Sequence, residues 1–305
     1  MRLFDLHCDT VYELFQTGAN LRQNRLHVDL ARGSQFSAWS QVFAAWIPDE
    51  WRGPRAVNGC DEMIRLAKQQ FADNADRIVL VQNGAQLREA LSQGKFAAWL
   101  SVEGGAALGG TLERVAALAA QGVRILTLTW NGENELGHGC LSPCNAGLTP
   151  FGKAVLAEMD RVGMLVDVSH LNARGFDDVA ACTDSPFLAT HSVSNAVFAH
   201  PRNLTDRQFA IIRDRGGLVG LNLCASQLGE SSFAMLHRHL DHFLSLGGEN
   251  TVAFGCDFDG TVLPNEWGGI AVMEQIGDFL TRQHYSATQI DRLFFKNAQE
   301  FFNKL

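Results

Sequence analysis

The sequence predicts an α/β fold, a (β/α)8 barrel of the TIM type, on three observations. Eight short, nearly continuous apolar runs read as strands buried on both faces. Amphipathic segments of helical period separate them. Imidazoles and carboxylates recur where these runs end, the rim at which a parallel barrel gathers its active site. Residues 1–305 read as one such domain, because no linker rich in Pro, Ser or Gly interrupts them. An open doubly wound sheet is disfavoured, since Gly104-Gly105 and Gly109-Gly110 do not form a G-x-G-x-x-G turn after a first strand. A P-loop and a G-x-S-x-G elbow are also absent.

The first run, LFDLHCD (3–9), ends on His7 and Asp9, which strand alternation would project to one face. Burying an imidazole beside a carboxylate is costly unless something pairs with both. A divalent metal would do so, and an isolated His–Asp hydrogen bond is the plainer alternative. QVFAAWI (41–47) follows, then FAAWLSVE (96–103) closing on Glu103 and RILTLTW (124–130) closing on Trp130, with Asn131 next. MLVDVSH (164–170) closes on His170, and PFLATHS (186–192) carries His191. GLVGLNL (217–223) carries Asn222, and TVAFGCDF (251–258) carries Asp257. Helices are expected over 112–122, 150–163, 206–217 and 233–248, with Gly122, Gly163, Gly216 and Gly247 at C-cap positions. A final helix is expected to start at a capping Ser286 and run to the C-terminus. The long stretches after the first and second runs should add helices and irregular structure around the mouth.

Composition narrows the partners. With 25 Lys and Arg against 33 Asp and Glu, the net charge of −8 argues against nucleic acid and anionic membrane surfaces. No apolar stretch is long enough to span a bilayer, and the N-terminal residues lack a signal-peptide h-region. The seven cysteines are unpaired in pattern and read as reduced thiols, so the expected location is the cytoplasm. Cys140 and Cys144 form no metal knuckle because a second pair is missing. His237, His239 and His242 in HRHLDH lack the H-E-x-x-H form and read as a polar helix face.

Five strand-end groups, His7, Asp9, Glu103, His170 and His191, supply two carboxylates and three imidazoles, good ligands for a borderline divalent metal. Any one alone would be an ordinary satisfied polar residue. Their recurrence at equivalent positions points to a shared metal-binding rim. The segments carrying them run in order as D-L-H-C-D-T (5–10), S-V-E-G-G (101–105), L-T-L-T-W-N (126–131), G-L-T-P-F-G (147–152), D-V-S-H (167–170), T-H-S (190–192), P-R-N (201–203) and G-C-D-F-D-G (255–260). This ordered set resembles the membrane (renal) dipeptidases, zinc peptidases among the metal-dependent amidohydrolase barrels.

The resemblance implies two Zn²⁺ per chain, with Co²⁺ or Mn²⁺ as alternatives. It implies that His7 and Asp9 hold one zinc, that His170 and His191 hold the other, and that Glu103 bridges them. Asp257 would be the acid/base beside the activated water, and Arg202 would bind the substrate's terminal carboxylate. The implied substrate is a small dipeptide with a free C-terminal carboxylate, L,D-dipeptides included. A homodimer is compatible with the Trp and Phe content. One departure concerns the strand-four position at which the family commonly has a histidine for the substrate carbonyl. Trp130 stands there, with only an indole N–H to offer, so Trp130 and Asn131 are assigned to substrate binding and His138 is a nearby substitute. A second is the absence of an aromatic after the seventh strand, in the region of Asn222-Leu223-Cys224. Asp259 is read as a loop-ordering group. Two other readings stay open: a cyclic-amide or lactone hydrolase of the amidohydrolase type, and a catalytically inactive metal-binding barrel.

Overall fold

The computed structural model describes residues 1–305, with strands β1 (Arg2–Cys8), β2 (Ala38–Trp46), β3 (Ile78–Leu80), β4 (Phe96–Glu103), β5 (Val123–Thr127), β6 (Leu165–Asp167), β7 (Leu188–Ala189), β8 (Leu218–Leu221) and β9 (Val252–Phe254). All pair in parallel. The order β2-β1-β9-β8-β7-β6-β5-β4 is closed by a β2–β4 pairing, giving the expected eight-stranded barrel. The unexpected ninth strand is β3. It lies beside the start of β4, from Ile78↔Phe96 to Leu80↔Ala98, on the side that β5 takes over from Leu100 onward. Three residues, one of them the exposed Val79, give no periodic signal to read.

The barrel interior is filled by residues such as Phe4, Leu6, Val42 and Trp99, and Phe295 and Phe302 close its lower end. Trp99 and Phe302 meet at 4.7 Å between ring centroids. Burying each such aromatic contributes about 1.5–3 kcal/mol, so this end is a packed floor. The C-terminal segment that supplies it begins at Ser286 with a reciprocal capping box to Gln289, as expected. It does not continue as one regular helix. A π-helical turn at Arg292–Lys296 widens it, and Leu293, Phe294 and Phe295 are all buried there. Leu293 and Phe294 join the main core and Phe295 joins the barrel floor, so this turn packs between the two.

The ladders end earlier than the apolar runs suggest. β6, β7 and β9 stop at Asp167, Ala189 and Phe254, so His170, His191 and Asp257 lie on the loops just beyond them. His170 and Asp257 have φ of 70° and 60°, a left-handed backbone that cannot continue a strand. Contrary to the alternation the sequence predicts, His7 and Asp9 do not share one face of a regular strand. Asp9 is the N-cap of the helix Thr10–Thr17 and no longer part of β1. Within β1 the pairing passes from Asp5↔Gln41 to Cys8↔Phe43, three steps against two, and this bulge turns His7 inward after Phe4 and Leu6. The two side chains therefore converge through a bulge and a helix start, not through strand alternation.

Candidate metal centre

The five ligand candidates meet at the C-terminal mouth of the barrel, and Glu103 organises them. One carboxylate oxygen lies 3.3 Å from His7 Nε2, which is itself 3.4 Å from Asp9. The other lies 2.8 Å from His170 Nε2 and 3.7 Å from His191 Nε2. Two ligand sets result, His7–Asp9–Glu103 and Glu103–His170–His191, each with its donor atoms within 4.8 Å of one another. Asp257 joins a third grouping with His7 and His191, so its carboxylate faces the same cluster. His7, Glu103 and His191 are at most 2% exposed.

Second contacts fix which ring nitrogens face the cluster. Asp167 is fully buried and accepts from Thr127 Oγ1 and Thr190 Oγ1, each at 2.6 Å, and from two backbone amides. Thr190 thus donates its proton to Asp167, and its oxygen accepts from His191 Nδ1 at 2.9 Å. Asn131 Oδ1 accepts from His170 Nδ1 at 2.9 Å. Both rings therefore present an unprotonated Nε2 to the cluster, and these two nitrogens are only 2.9 Å apart. Asp9 Oδ1 and His7 Nε2 are buried without a hydrogen-bond partner. Converging lone pairs and orphaned acceptors around a split carboxylate fit a divalent metal at each set.

The electrostatics agree. Burial and the Arg202 charge push His170 down to about 4, and burial, His7 and Arg202 hold His191 well below the ordinary histidine range. Burial works against charge on Glu103, yet His7 and His170 hold its carboxyl well below the usual range. Burial also opposes charge on His7, but Glu103 and Asp9 hold it well above the ordinary histidine range. Burial and the Glu103 charge raise Asp9 to about 6, and burial with Asp9 raises Asp257 well above the carboxylate range. Gly260 sits where an added Cβ would lie 2.1 Å from Asp9 Oδ2 and 2.3 Å from Asp257 Oδ1, so any side chain there would displace both.

A cavity of about 440 Å³ opens over the centre, lined on one side by Tyr12, Glu13, Trp46 and Trp130 and on the other by His200, Arg202, Ser226 and Gln227. Trp130 packs edge-on against Trp46 at 4.9 Å, and Trp46 against Tyr12 at 4.6 Å, forming an aromatic wall. Trp46, opposite Glu103 in the β2–β4 register, gave no functional signal in the sequence. Arg202 is 6% exposed, touches the His191 carbonyl at 3.4 Å and pairs with no carboxylate. Asn131 reaches the cavity, but its side-chain oxygen is committed to His170. His138 turns instead to Glu133 and Ser142.

Asp259 orders its loop, accepting from Thr10 Oγ1 and the His27 amide. The HRHLDH histidines separate: His237 faces Asp241, and His242 meets Asp206. His239, expected on a polar face, is fully buried and bonds the Ser194 amide and the Leu228 carbonyl.

The membrane dipeptidase family, peptidase family M19, matches the sequence over residues 1–305. The chain belongs to that family. Among solved structures it is similar to a Rhodobacter sphaeroides metallo peptidase liganded with a phosphinate mimic of the dipeptide L-Ala-D-Ala, at 28% identity and TM-score 0.93, over 99% of this chain and 98% of that one. It is equally similar in fold to the family M19 dipeptidase AC, at 29% identity, TM-score 0.93 and the same coverage. A Klebsiella pneumoniae protein described as an uncharacterized protein in the pqqA 5′ region is 32% identical over 249 residues, 77% of this chain and 92% of its own length. As a family M19 member the chain is a metal-dependent hydrolase of peptide bonds, and its clustered His, Asp and Glu groups are the metal-binding candidates. No helix is long and apolar enough to cross a membrane.

Glu103 and Asp9 hold the His7 imidazole above the ordinary histidine range, so protons compete with a metal for its ring nitrogen. Metal affinity should weaken as pH falls, and calorimetric titration at pH 7 should give enthalpies that shift with the buffer's ionisation enthalpy. Identical enthalpies in phosphate and Tris would contradict this.

Proposed function

We propose that this family member is a binuclear zinc dipeptidase for small dipeptides with a free C-terminal carboxylate, L,D-dipeptides included. His7 and Asp9 would hold one zinc and His170 and His191 the other, with Glu103 giving one oxygen to each. Such a pair, when bound, supplies Lewis acidity toward the scissile carbonyl and a water nucleophile at neutral pH.

The observation that carries the substrate class is Arg202. A buried guanidinium without a carboxylate partner is costly, and a substrate carboxylate supplies the partner with bidentate geometry. Arg202 follows β7, which stands four strands from β2 in either direction around the barrel. Trp46 ends β2. A dipeptide anchored by its carboxylate at Arg202 thus crosses the cluster and sets its N-terminal residue against Trp46 and Trp130. Asp257, facing His7 and His191, would take the proton of the attacking water and return it to the leaving amine. Asn131 positions His170, and Trp130, just past β5, offers a ring face in place of the imidazole that the family commonly has there. The L-Ala-D-Ala mimic carried by the Rhodobacter relative supports a D-residue on the C-terminal side.

Kinetics on zinc-loaded enzyme test this reading. Arg202→Ala should lower kcat/KM for L-Ala-D-Ala by about 10- to 100-fold and leave the slow turnover of the C-terminal amide nearly unchanged. Equal losses on both substrates would remove Arg202 from carboxylate recognition. Asp257→Asn should cost about 10²- to 10⁴-fold in kcat with both metals retained. Unaltered turnover would exclude Asp257 as the proton carrier.

A further inference from the structure

Two fully buried carboxylates, Asp5 and Asp167, make the same contact at two places on the rim. Asp5 Oδ1 accepts from the amide of His7, two residues on, at 3.0 Å and from the Cys256 amide, just beyond β9, at 3.1 Å. Asp167 Oδ1 accepts from the amide of Ser169, two residues on, at 3.0 Å and from the Thr190 amide, just beyond β7, at 2.9 Å. Each carboxylate therefore clips together two neighbouring strand ends that carry site residues. One clip joins the ends bearing His7 and Asp257, the other those bearing His170 and His191.

The second oxygens differ. Asp167 Oδ2 accepts from the hydroxyls of Thr127 and Thr190, each at 2.6 Å, and Thr190 in turn accepts from His191 Nδ1 at 2.9 Å. Asp5 Oδ2 finds no N–H or O–H donor, and only the Cys256 thiol, a weak donor, lies beside it. A relay from carboxylate to imidazole thus exists on the Asp167 side alone.

The two ligand sets are unequally prepared as a result. In Glu103–His170–His191 both imidazoles are held at Nδ1, by Asn131 and by Thr190, with Nε2 turned to Glu103 before any ion arrives. In His7–Asp9–Glu103 the close polar contacts of the His7 ring run through Nε2, and no hydrogen bond holds its Nδ1. Asp9 Oδ1 is likewise without a partner. Ligands already oriented lose less freedom when an ion binds, so binding at the first set requires less ordering.

We propose that the Asp167–Thr190 relay makes Glu103–His170–His191 the tighter metal site, so that it fills first and His7–Asp9–Glu103 fills second. The proposal rests on the two-metal reading above. Asp167 and Thr190 are positioning residues that act through His191.

The test is equilibrium binding of zinc to the metal-free full chain at one pH, in competition with a chromophoric chelator. Two steps are expected, separated by about tenfold or more in Kd. Asp9→Ala removes a ligand of the second set alone and should delete the weaker step; Asp9 makes no side-chain cap bond, so the helix start does not depend on it. Thr190→Val removes the hydroxyl at nearly constant volume and should weaken the tighter step by about 10- to 100-fold, drawing the two steps together. Thr190→Ser keeps the hydroxyl and should restore the separation, a rescue that a merely structural role does not require. Equal steps in the unaltered chain, or loss of the tighter step in Asp9→Ala, would overturn the ordering whether or not Thr190→Val folds. A folded Thr190→Val chain that binds zinc as the unaltered chain does would overturn the relay, as would a Thr190→Ser chain that behaves like it. If the unaltered chain binds fewer than two ions at saturation, the two-metal reading fails and takes the proposal with it.

Discussion

Two imidazole nitrogens, Nε2 of His170 and of His191, face each other at 2.9 Å with no proton between them. Their own N–H groups are committed elsewhere, one to Asn131 and the other through Thr190 to the buried Asp167. An ionised Glu103 lies beside both. Lone pairs and negative charge this deeply buried repel strongly at these distances, and only positive charge placed among them makes the arrangement stable. Protonation of His7, which Glu103 and Asp9 favour, would partly fill that role from the other side of Glu103. Divalent cations fill it better, because each can meet a carboxylate oxygen and imidazole lone pairs at once.

The barrel makes this crowding tenable. β1, β4, β6, β7 and β9 deliver their side chains to one rim, and the packed floor of Phe295 and Phe302 gives the opposite end a rigid base. Departures from regular geometry are confined to the rim: the β1 bulge that turns His7 inward, and the left-handed residues His170 and Asp257. Strain of this kind persists only where surrounding structure over-determines it. Here Asp167, tied by four hydrogen bonds between β5, β6 and the loop after β7, supplies much of that restraint.

Much of this is legible in the sequence because the barrel's strands are buried on both faces and read as uninterrupted apolar runs. His7, Glu103, His170 and His191 stand out as polar groups closing such runs, and the Ser286 start of the last helix follows from its capping pattern. What the sequence hides depends on distant partners. Asp167 looks like an acid misplaced in a strand until Thr127 and Thr190, 40 and 23 residues away, close around it. The apolar runs extend past the true strand ends because a positive φ at His170 or Asp257 is imposed by tertiary contacts and carries no local signature. The burial of Arg202 is equally silent, since P-R-N reads as a surface turn, and the short strand β3 falls below the length at which periodicity has meaning.

The resulting mouth is electrically divided. Acidic groups and the aromatic wall occupy the β1–β2 side, whereas Arg202 provides an unpaired cation on the β7 side. That asymmetry orients a short zwitterion across the centre before any chemistry begins. Everything at this mouth depends on what sits on either side of Glu103. Anomalous diffraction at the zinc edge from crystals of metal-loaded protein measures it directly. Two peaks are predicted, one amid His7, Asp9 and Glu103 and one amid Glu103, His170 and His191; a single peak, or peaks remote from Glu103, would contradict it.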